Sequence, residues 1–406
     1  MNIVHRIVVA NADRDPIRVA MKYRMMRASC WSFFRGTCHL FYDRLPKNGI
    51  ARSAPPVWSC GDLHLENFGS YKGDNRLVYF DINDFDEAAI SPASWDLARM
   101  LTSILVRTAT LGLSKGNTHA LASEFIAAYL QTLRNGRALW VERDTAQGIV
   151  HGLLERARAR PRTAFLAQRT RRSGLRRHLR LDGKKLLPVS DAQRTAVTAF
   201  MAAFASSQMH PAFYRMIDVA VRVAGTGSLG VDRYAILVEG KGSPDMNYLL
   251  DLKQSRPSTL AVHLASIQPT WRTEAERIVA VQQRMQAAPM AFLHAVDLGG
   301  RAYVLRALQP SEDRVDLAAI ENNVDSLLGV IRVMGQCLAA AQLRSAGRQG
   351  SASADQLIAF ACRKKLPGKL MELAFAMAER TTLDWAIYCQ AYDDGRFDVD
   401  NGCEPA

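Results

Sequence analysis

The chain reads as an α+β protein of two lobes, with a small antiparallel sheet inserted between two halves of a larger helical body. Three observations carry this reading. At 406 residues the chain exceeds what one ordinary core organises. Residues 217–224, 231–240 and 246–253 alternate or run apolar between glycine-rich turns, and two more strands are expected at about 290–298 and 301–308 around Gly299-Gly300. Residues 94–208 and 314–395 carry helical periodicity on either side. The expected division is therefore 1–213 for the first helical part, 214–310 for the sheet lobe and 311–406 for the second helical part.

Residues 15–46 read as helical, opened by Asp15-Pro16, with an apolar series through Met21, Met25, Trp31, Phe34 and Leu40, and stopped by Pro46-Lys47-Asn48-Gly49. Val57 to Cys60 and Arg76 to Phe80 are short strand candidates, with Gly73-Asp74-Asn75 as the turn between them. Ser114 and Ser190 are expected to cap helices within 94–208. In the sheet lobe a helix over about 272–287 follows the third strand, and Pro310 closes the unit. Ser351 to Ala354 reads as a loop in the last helical part.

The apolar content of 48% fits a soluble enzyme. No run of eighteen unbroken apolar residues is found, and Met1-Asn2-Ile3-Val4-His5-Arg6 lacks the apolar core and cleavage site of a secretory signal, so a cytoplasmic location without membrane contact is expected. Seven cysteines at 30, 38, 60, 337, 362, 389 and 403 are scattered and never paired as C-x-x-C, which argues against a disulfide framework or a zinc site. The net charge of +13 is concentrated between Arg156 and Lys185, where twelve Lys or Arg face one acid, Asp182. That run could track a polyanion, nucleic acid included. A solvated helical face is the favoured reading, since only Phe165 offers a ring for base stacking.

Cys60-Gly61-Asp62-Leu63-His64-Leu65-Glu66-Asn67 and Asp84-Phe85-Asp86-Glu87-Ala88 have the spacing of a phosphoryl-transfer centre. An Asp with an Asn five positions on sets a proton acceptor and a metal-binding amide on one loop, and a second Asp after a strand completes the metal site. Gly225-Thr226-Gly227-Ser228-Leu229-Gly230 and Lys253 add a phosphate-cradling loop and a phosphate-gripping cation. In these roles Asp62 is the catalytic base, Asn67 and Asp84 the metal ligands, and Gly225, Gly227, Ser228, Gly230 and Lys253 the nucleotide contacts, with ATP and magnesium as the implied cofactors. Each piece has a plainer reading: a G-x-G-x-x-G can be a hairpin turn, a strand lysine a solvated edge residue, and the alternation of Asp81, Asp84 and Asp86 a capping turn. His64 could be a general base, but support of the loop by hydrogen bonding is favoured.

These segments, followed by Ser91-Pro92-Ala93-Ser94-Trp95-Asp96-Leu97-Ala98, resemble the catalytic and metal-binding stretch of aminoglycoside phosphotransferases and other small-molecule kinases of the protein-kinase-like fold. Nearly the whole chain also resembles the bacterial domain-of-unknown-function family 2252, through Ser32-Phe33-Phe34-Arg35-Gly36, Cys60 to Gly69, Asn83 to Glu87, Gly225 to Gly230, Leu252-Lys253 and Arg277 to Gln286. The resemblance implies a two-lobed kinase-like fold. Because the glycine loop and lysine follow the catalytic loop, it also implies a circular permutation, with Gly335 to Gln342 as the displaced helix. It further implies an acid paired with Lys253 at the nucleotide site, for which Glu276 on the expected helix is the first choice and Glu274 the runner-up. Cys60 replaces the His that opens the motif in small-molecule kinases. The implied function is phosphoryl transfer from ATP to an unknown small-molecule or protein hydroxyl. A nucleotide-binding regulator, a nucleotidyl transferase and a nucleic-acid binder are the alternatives.

Overall fold

A computed structural model describes residues 2–310, 313–320 and 323–397. Cys403 lies outside the described residues, and the other six cysteines are free. Twelve strands are described: β1 (Pro56–Ser59), β2 (Phe68–Lys72), β3 (Val78–Ile82), β4 (Ala89–Pro92), β5 (Thr170–Ser173), β6 (Arg176–Leu179), β7 (Leu186–Leu187), β8 (Met216–Arg222), β9 (Arg233–Val238), β10 (Tyr248–Gln254), β11 (His294–Leu298) and β12 (Arg301–Ala307). The large sheet is antiparallel throughout in the order β11-β12-β10-β9-β8-β7, so the fold is mixed α+β.

Period-two alternation decides what each face of that sheet does. Val219, Val221, Ile236, Val238, Leu250 and Leu305 turn to one side and pack on Val197 and Met201 of the helix Asp191–Ser206. Ala220, Ala235, Leu237 and Leu249 turn to the other and meet Leu166 and Leu179. On this second face the same alternation carries Arg222, Arg233, Asp251, Lys253 and Arg306 beyond the apolar patch, so charged groups share the face with a small hydrophobic cover.

Ser114 and Ser190 accept from the backbone N–H of Asn117 and Gln193, as N-caps do, and Thr273 opens the helix Glu274–Met285 in the same way. Three stretches differ from the sequence expectation, the first being the turn Gly73-Asp74-Asn75, which joins β3 to β2 rather than to β1, whose partner is β4. Residues 15–46 form three helices, Pro16–Ala28, Cys30–Gly36 and Cys38–Arg44, because Ser29 adopts extended backbone and caps the second while Thr37 breaks the third from it. The helical run 94–208 is interrupted by the hairpin β5-β6 and by β7, which joins the sheet as a sixth strand. Gly174 at φ 58° turns that hairpin, and dense arginine hides its apolar alternation.

The largest core joins the helices Ser94–Thr110, Lys115–Asn135, Val324–Arg344 and Leu366–Asp393 to β1–β4. Among the described residues one helix, Val324–Arg344, is long and apolar enough to cross a membrane. It is a core element here. A Cβ at Gly335 would lie 2.7 Å from the Phe125 carbonyl, so the helix rests backbone to backbone on Lys115–Asn135, and Arg332 pairs with Glu124 at 2.5 Å.

Candidate functional site

A cavity of about 1030 Å³ lies between the charged face of the large sheet and the loops that follow β1 and β3. Asp62, Asn67, Asp84, Gly225, Gly227, Ser228 and Lys253 all line it, although 191 positions separate Asp62 from Lys253 in sequence. Gly230 and Glu276 do not line it.

The loop carrying Asp62 is fixed from beneath. Asp96, fully buried at the start of helix Ser94–Thr110, accepts the backbone N–H groups of Cys60 and Gly61 at 3.1 Å each. Burial pushes the Asp96 carboxyl up to about 6 against these two bonds. Gly61 sits at φ 87°, and a Cβ there would fall 2.4 Å from the Glu87 carbonyl, so only glycine lets the two loops touch. Asn67 donates its side-chain N–H to the Asp62 carbonyl at 2.5 Å, which leaves its amide oxygen as the atom that could meet a cation. The Cys60 thiol is buried beside Asp96 and held well above its usual range by that burial, so it is structural rather than reactive.

Asp62 is held by a group that spacing did not reveal. Arg99, fully buried one turn after Asp96, donates Nε and one terminal nitrogen to Asp62 Oδ1 at 2.9 and 2.7 Å. Its guanidinium lies 3.5 Å from the centre of the Phe34 ring and 4.9 Å from that of Phe41. Both bonds fall on Oδ1. Asp62 Oδ2 lies 4.0 Å from the position a Cβ would take at Gly227, so the glycine loop stands directly over the free oxygen.

His64 is a supporting residue. Its Nδ1 accepts the Glu66 N–H at 3.2 Å, which puts the ring proton on Nε2 and makes Arg35, at 3.4 Å, a neighbour rather than a donor to it. Burial and then Arg35, Arg99 and Arg314 hold the ring well below the usual histidine range, so it stays neutral.

Lys253 pairs with Asp86, from the same loop as Asp84. The resemblance pointed to Glu276 or Glu274 for this partner, and neither reaches it. Glu276 is bound to Arg272 at 2.5 Å on the surface, and Glu274 to Arg277 at 2.6 Å. The helix Glu274–Met285 acts instead through Arg277, which donates to the carbonyls of Asp86 and Arg256 at 2.8 and 3.0 Å and so fixes the loop that brings Asp86 to the lysine. Burial alone would raise Asp84, but Lys253, Arg306 and Arg233 outweigh it and hold the carboxyl below the usual range. An ionised Asp84 and the Asn67 amide oxygen are hard oxygen donors that suit magnesium. Among the described residues no three His, Cys, Asp or Glu side chains group as a metal site, so such an ion would take its remaining ligands from phosphate and water.

The glycine loop is pinned by the chain's beginning. Arg14 donates to the carbonyls of Gly227 and Leu229 at 2.6 and 3.0 Å, and Lys22 reaches Asn11 at 2.8 Å and the Gly227 carbonyl at 3.4 Å. The basic run is divided. Arg160 pairs with Asp313 and Arg177 with Asp245, Arg169, Arg180 and Lys185 line the cavity, and Arg171, Arg172 and Arg176 are exposed.

Arg99 was legible only as the residue after Asp96-Leu97-Ala98, and Asp86 only as the second acid of an alternating pair. Comparison with known proteins adds a family and no precedent of structure: no curated protein and no solved structure matches the chain. Residues 14–391 match the profile of a family described as an uncharacterized protein conserved in bacteria, DUF2252. That match spans the loops carrying Asp62 and Asp84, the large sheet and most of the closing helices, and the chain is a member of this bacterial family.

Proposed function

We propose that the cavity binds ATP with magnesium and transfers the terminal phosphoryl group to a hydroxyl, within a circularly permuted kinase-like arrangement. The observation that carries this is the meeting of Asp62, Asn67, Asp84, Lys253 and the Gly225–Gly227 turn on one cavity. In support of the permutation, the backbone N–H of Ala352, soon after the helix Val324–Arg344, donates to the Pro56 carbonyl of β1 at 2.7 Å. The segment that follows this helix thus returns beside the strand that leads into Asp62. Leu308, half-buried just after β12, lines the cavity at the edge of the covered apolar patch and suits a base ring, while Lys253 and the glycine loop suit its phosphates.

In the reaction the acceptor oxygen forms a bond to the γ-phosphorus, the bond from that phosphorus to the β,γ-bridging oxygen breaks, and ADP leaves. The hydroxyl proton passes to Asp62 Oδ2, while Arg99 keeps Oδ1 and the orientation of the carboxylate. Magnesium, when bound, supplies charge neutralisation at the phosphates; Asn67 and Asp84 would hold it.

Asp62→Asn should lower transfer about 10²- to 10⁴-fold while leaving nucleotide affinity nearly unchanged, since the base contributes on that scale. Labelled ATP and mass spectrometry of the products check it. Wild-type turnover in that variant would refute the assignment. Nucleotide-dependent thermal stabilisation without any transfer in the parent protein would favour a regulator, and a product mass raised by AMP would favour nucleotidyl transfer.

A further inference from the structure

Arg35, conspicuous in the sequence and given no part in the transfer above, stands on the Asp62 side of the cavity together with Arg314 and Asn83. Arg35 lies in the last turn of the helix Cys30–Gly36 and is paired with Glu66 at 2.7 Å, Glu66 being fixed in turn by the Trp31 indole N–H at 3.0 Å. Arg314 lines the cavity with no ion-pair or hydrogen-bond partner for its side chain among the described residues. Arg35, Glu66, Asp84 and Arg233 are the charged groups that act on it. Asn83 adjoins Asp84 and is 7% exposed, yet both its amide nitrogen and its amide oxygen lack a partner among the described residues. A buried amide with neither atom satisfied is rare in a folded chain and marks a place where something else completes the bonding.

Charge points the same way. Twelve Lys or Arg and six Asp or Glu line the cavity, with Asp251 and Asp13 pairing four of those cations from behind, and a nucleoside triphosphate with its magnesium offsets only part of the remaining excess. Two guanidinium groups and an amide N–H form a donor set for an oxyanion.

We propose that the acceptor is itself an oxyanion: a hydroxylated compound whose phosphate or carboxylate group is held by Arg314 and Arg35 with the Asn83 amide. This deepens the phosphotransferase reading and rests on it for the position of the reacting hydroxyl. Asp62 takes the hydroxyl end, and the arginine pair takes the charged end. Neutral sugars and alcohols lack the group these donors need and are poor acceptors on this account.

The test uses the full chain saturated with magnesium and a non-hydrolysable ATP analogue, which blocks the nucleotide's own phosphate subsites. Inorganic phosphate and acetate are then titrated calorimetrically, with glycerol as the neutral control. One of the anions is expected to bind saturably and glycerol not at all. Tighter phosphate would identify a phosphate monoester, and tighter acetate a carboxylate. Arg314→Gln and the milder Arg35→Lys should each weaken the preferred anion about tenfold, the scale of one charge-assisted hydrogen bond. Arg171→Gln, outside the cavity, should not. The proposal is overturned if neither anion saturates, if both variants bind as the parent does, or if the variants weaken the nucleotide analogue instead, which would make the arginines part of the triphosphate grip. Failure of the analogue to bind at all would defeat the phosphotransferase reading, whereas phosphate or acetate binding that still depends on Arg314 would keep the oxyanion site.

Discussion

Asp62 and Asp251 are both carboxylates set against buried arginine, and they are used in opposite ways. Asp251 is 0% exposed and meets three guanidiniums: Arg233 at 2.8 and 2.6 Å, Arg222 at 2.9 Å and Arg306 at 3.5 Å, with both oxygens engaged. Burial would raise its carboxyl, but the three cations hold it well below the usual range. Asp62 meets one guanidinium through one oxygen, and its side chain remains 22% exposed. A saturated carboxylate is a counter-ion that fixes sheet residues. A half-saturated one is held by one oxygen and leaves the other toward the cavity, as the proposed base requires.

Removing the charge of Asp251 tests this contrast most severely. Asp251→Asn leaves three buried cations without their anion, and urea unfolding should show a loss of about 3–5 kcal/mol, the cost of breaking a buried pair. Asp62→Asn should cost less, about 1–3 kcal/mol, because an amide oxygen still accepts from Arg99. Equal losses in the two variants would erase the distinction between counter-ion and working group.

The cations around Asp62 also set a pH dependence. His39 lines the same cavity, and burial, followed by Lys22, Arg6, Arg14 and Arg99, brings its ring down to about 3. The unfolded chain therefore takes up a proton that the native state refuses between roughly pH 6.5 and 3. Stability from this group is complete above about pH 6.5 and declines as the pH falls, by about 1.4 kcal/mol per pH unit. His39→Gln should remove that share of the slope in unfolding midpoints measured from pH 7.5 to 5. An unchanged slope would show that His39 accepts its proton in the fold.

The smallest effect is expected at Glu276. Its partner Arg272 is 88% exposed, and such surface pairs contribute about 0–1 kcal/mol, so Glu276→Gln should leave both unfolding and nucleotide affinity close to the parent's. A marked loss of nucleotide affinity would return Glu276 to the cleft in place of Asp86.

Most of the sheet was legible because β8, β9, β10 and β12 alternate or run apolar and lie between glycine-containing turns. β7 was not, since Leu186–Leu187 is too short to show any period. The hairpin β5-β6 was read as helix because arginines occupy both its faces, leaving only Thr170 and Leu179 as buried ends. Spacing singles out Asp62, Asn67, Asp84 and Lys253, and the fold brings all four to one cavity. The partners that orient them were hidden because Arg99 and Arg277 are arginines on helices, where sequence gives a surface residue as the default and only tertiary packing makes a buried clamp.

The basic run has a consequence for how its charge can be probed. Leu166 and Leu179 within it close over Ala235 and Leu249, and Arg177 is locked to the Pro244 carbonyl at 2.6 Å. Excising the segment to abolish polyanion capture would strip the sheet of a hydrophobic roof, and a vanished gel shift would then report unfolding instead of missing positive charge. Reversing Arg171 and Arg176, which are exposed, while leaving Arg172 on Asp245, keeps the roof seated and isolates electrostatics.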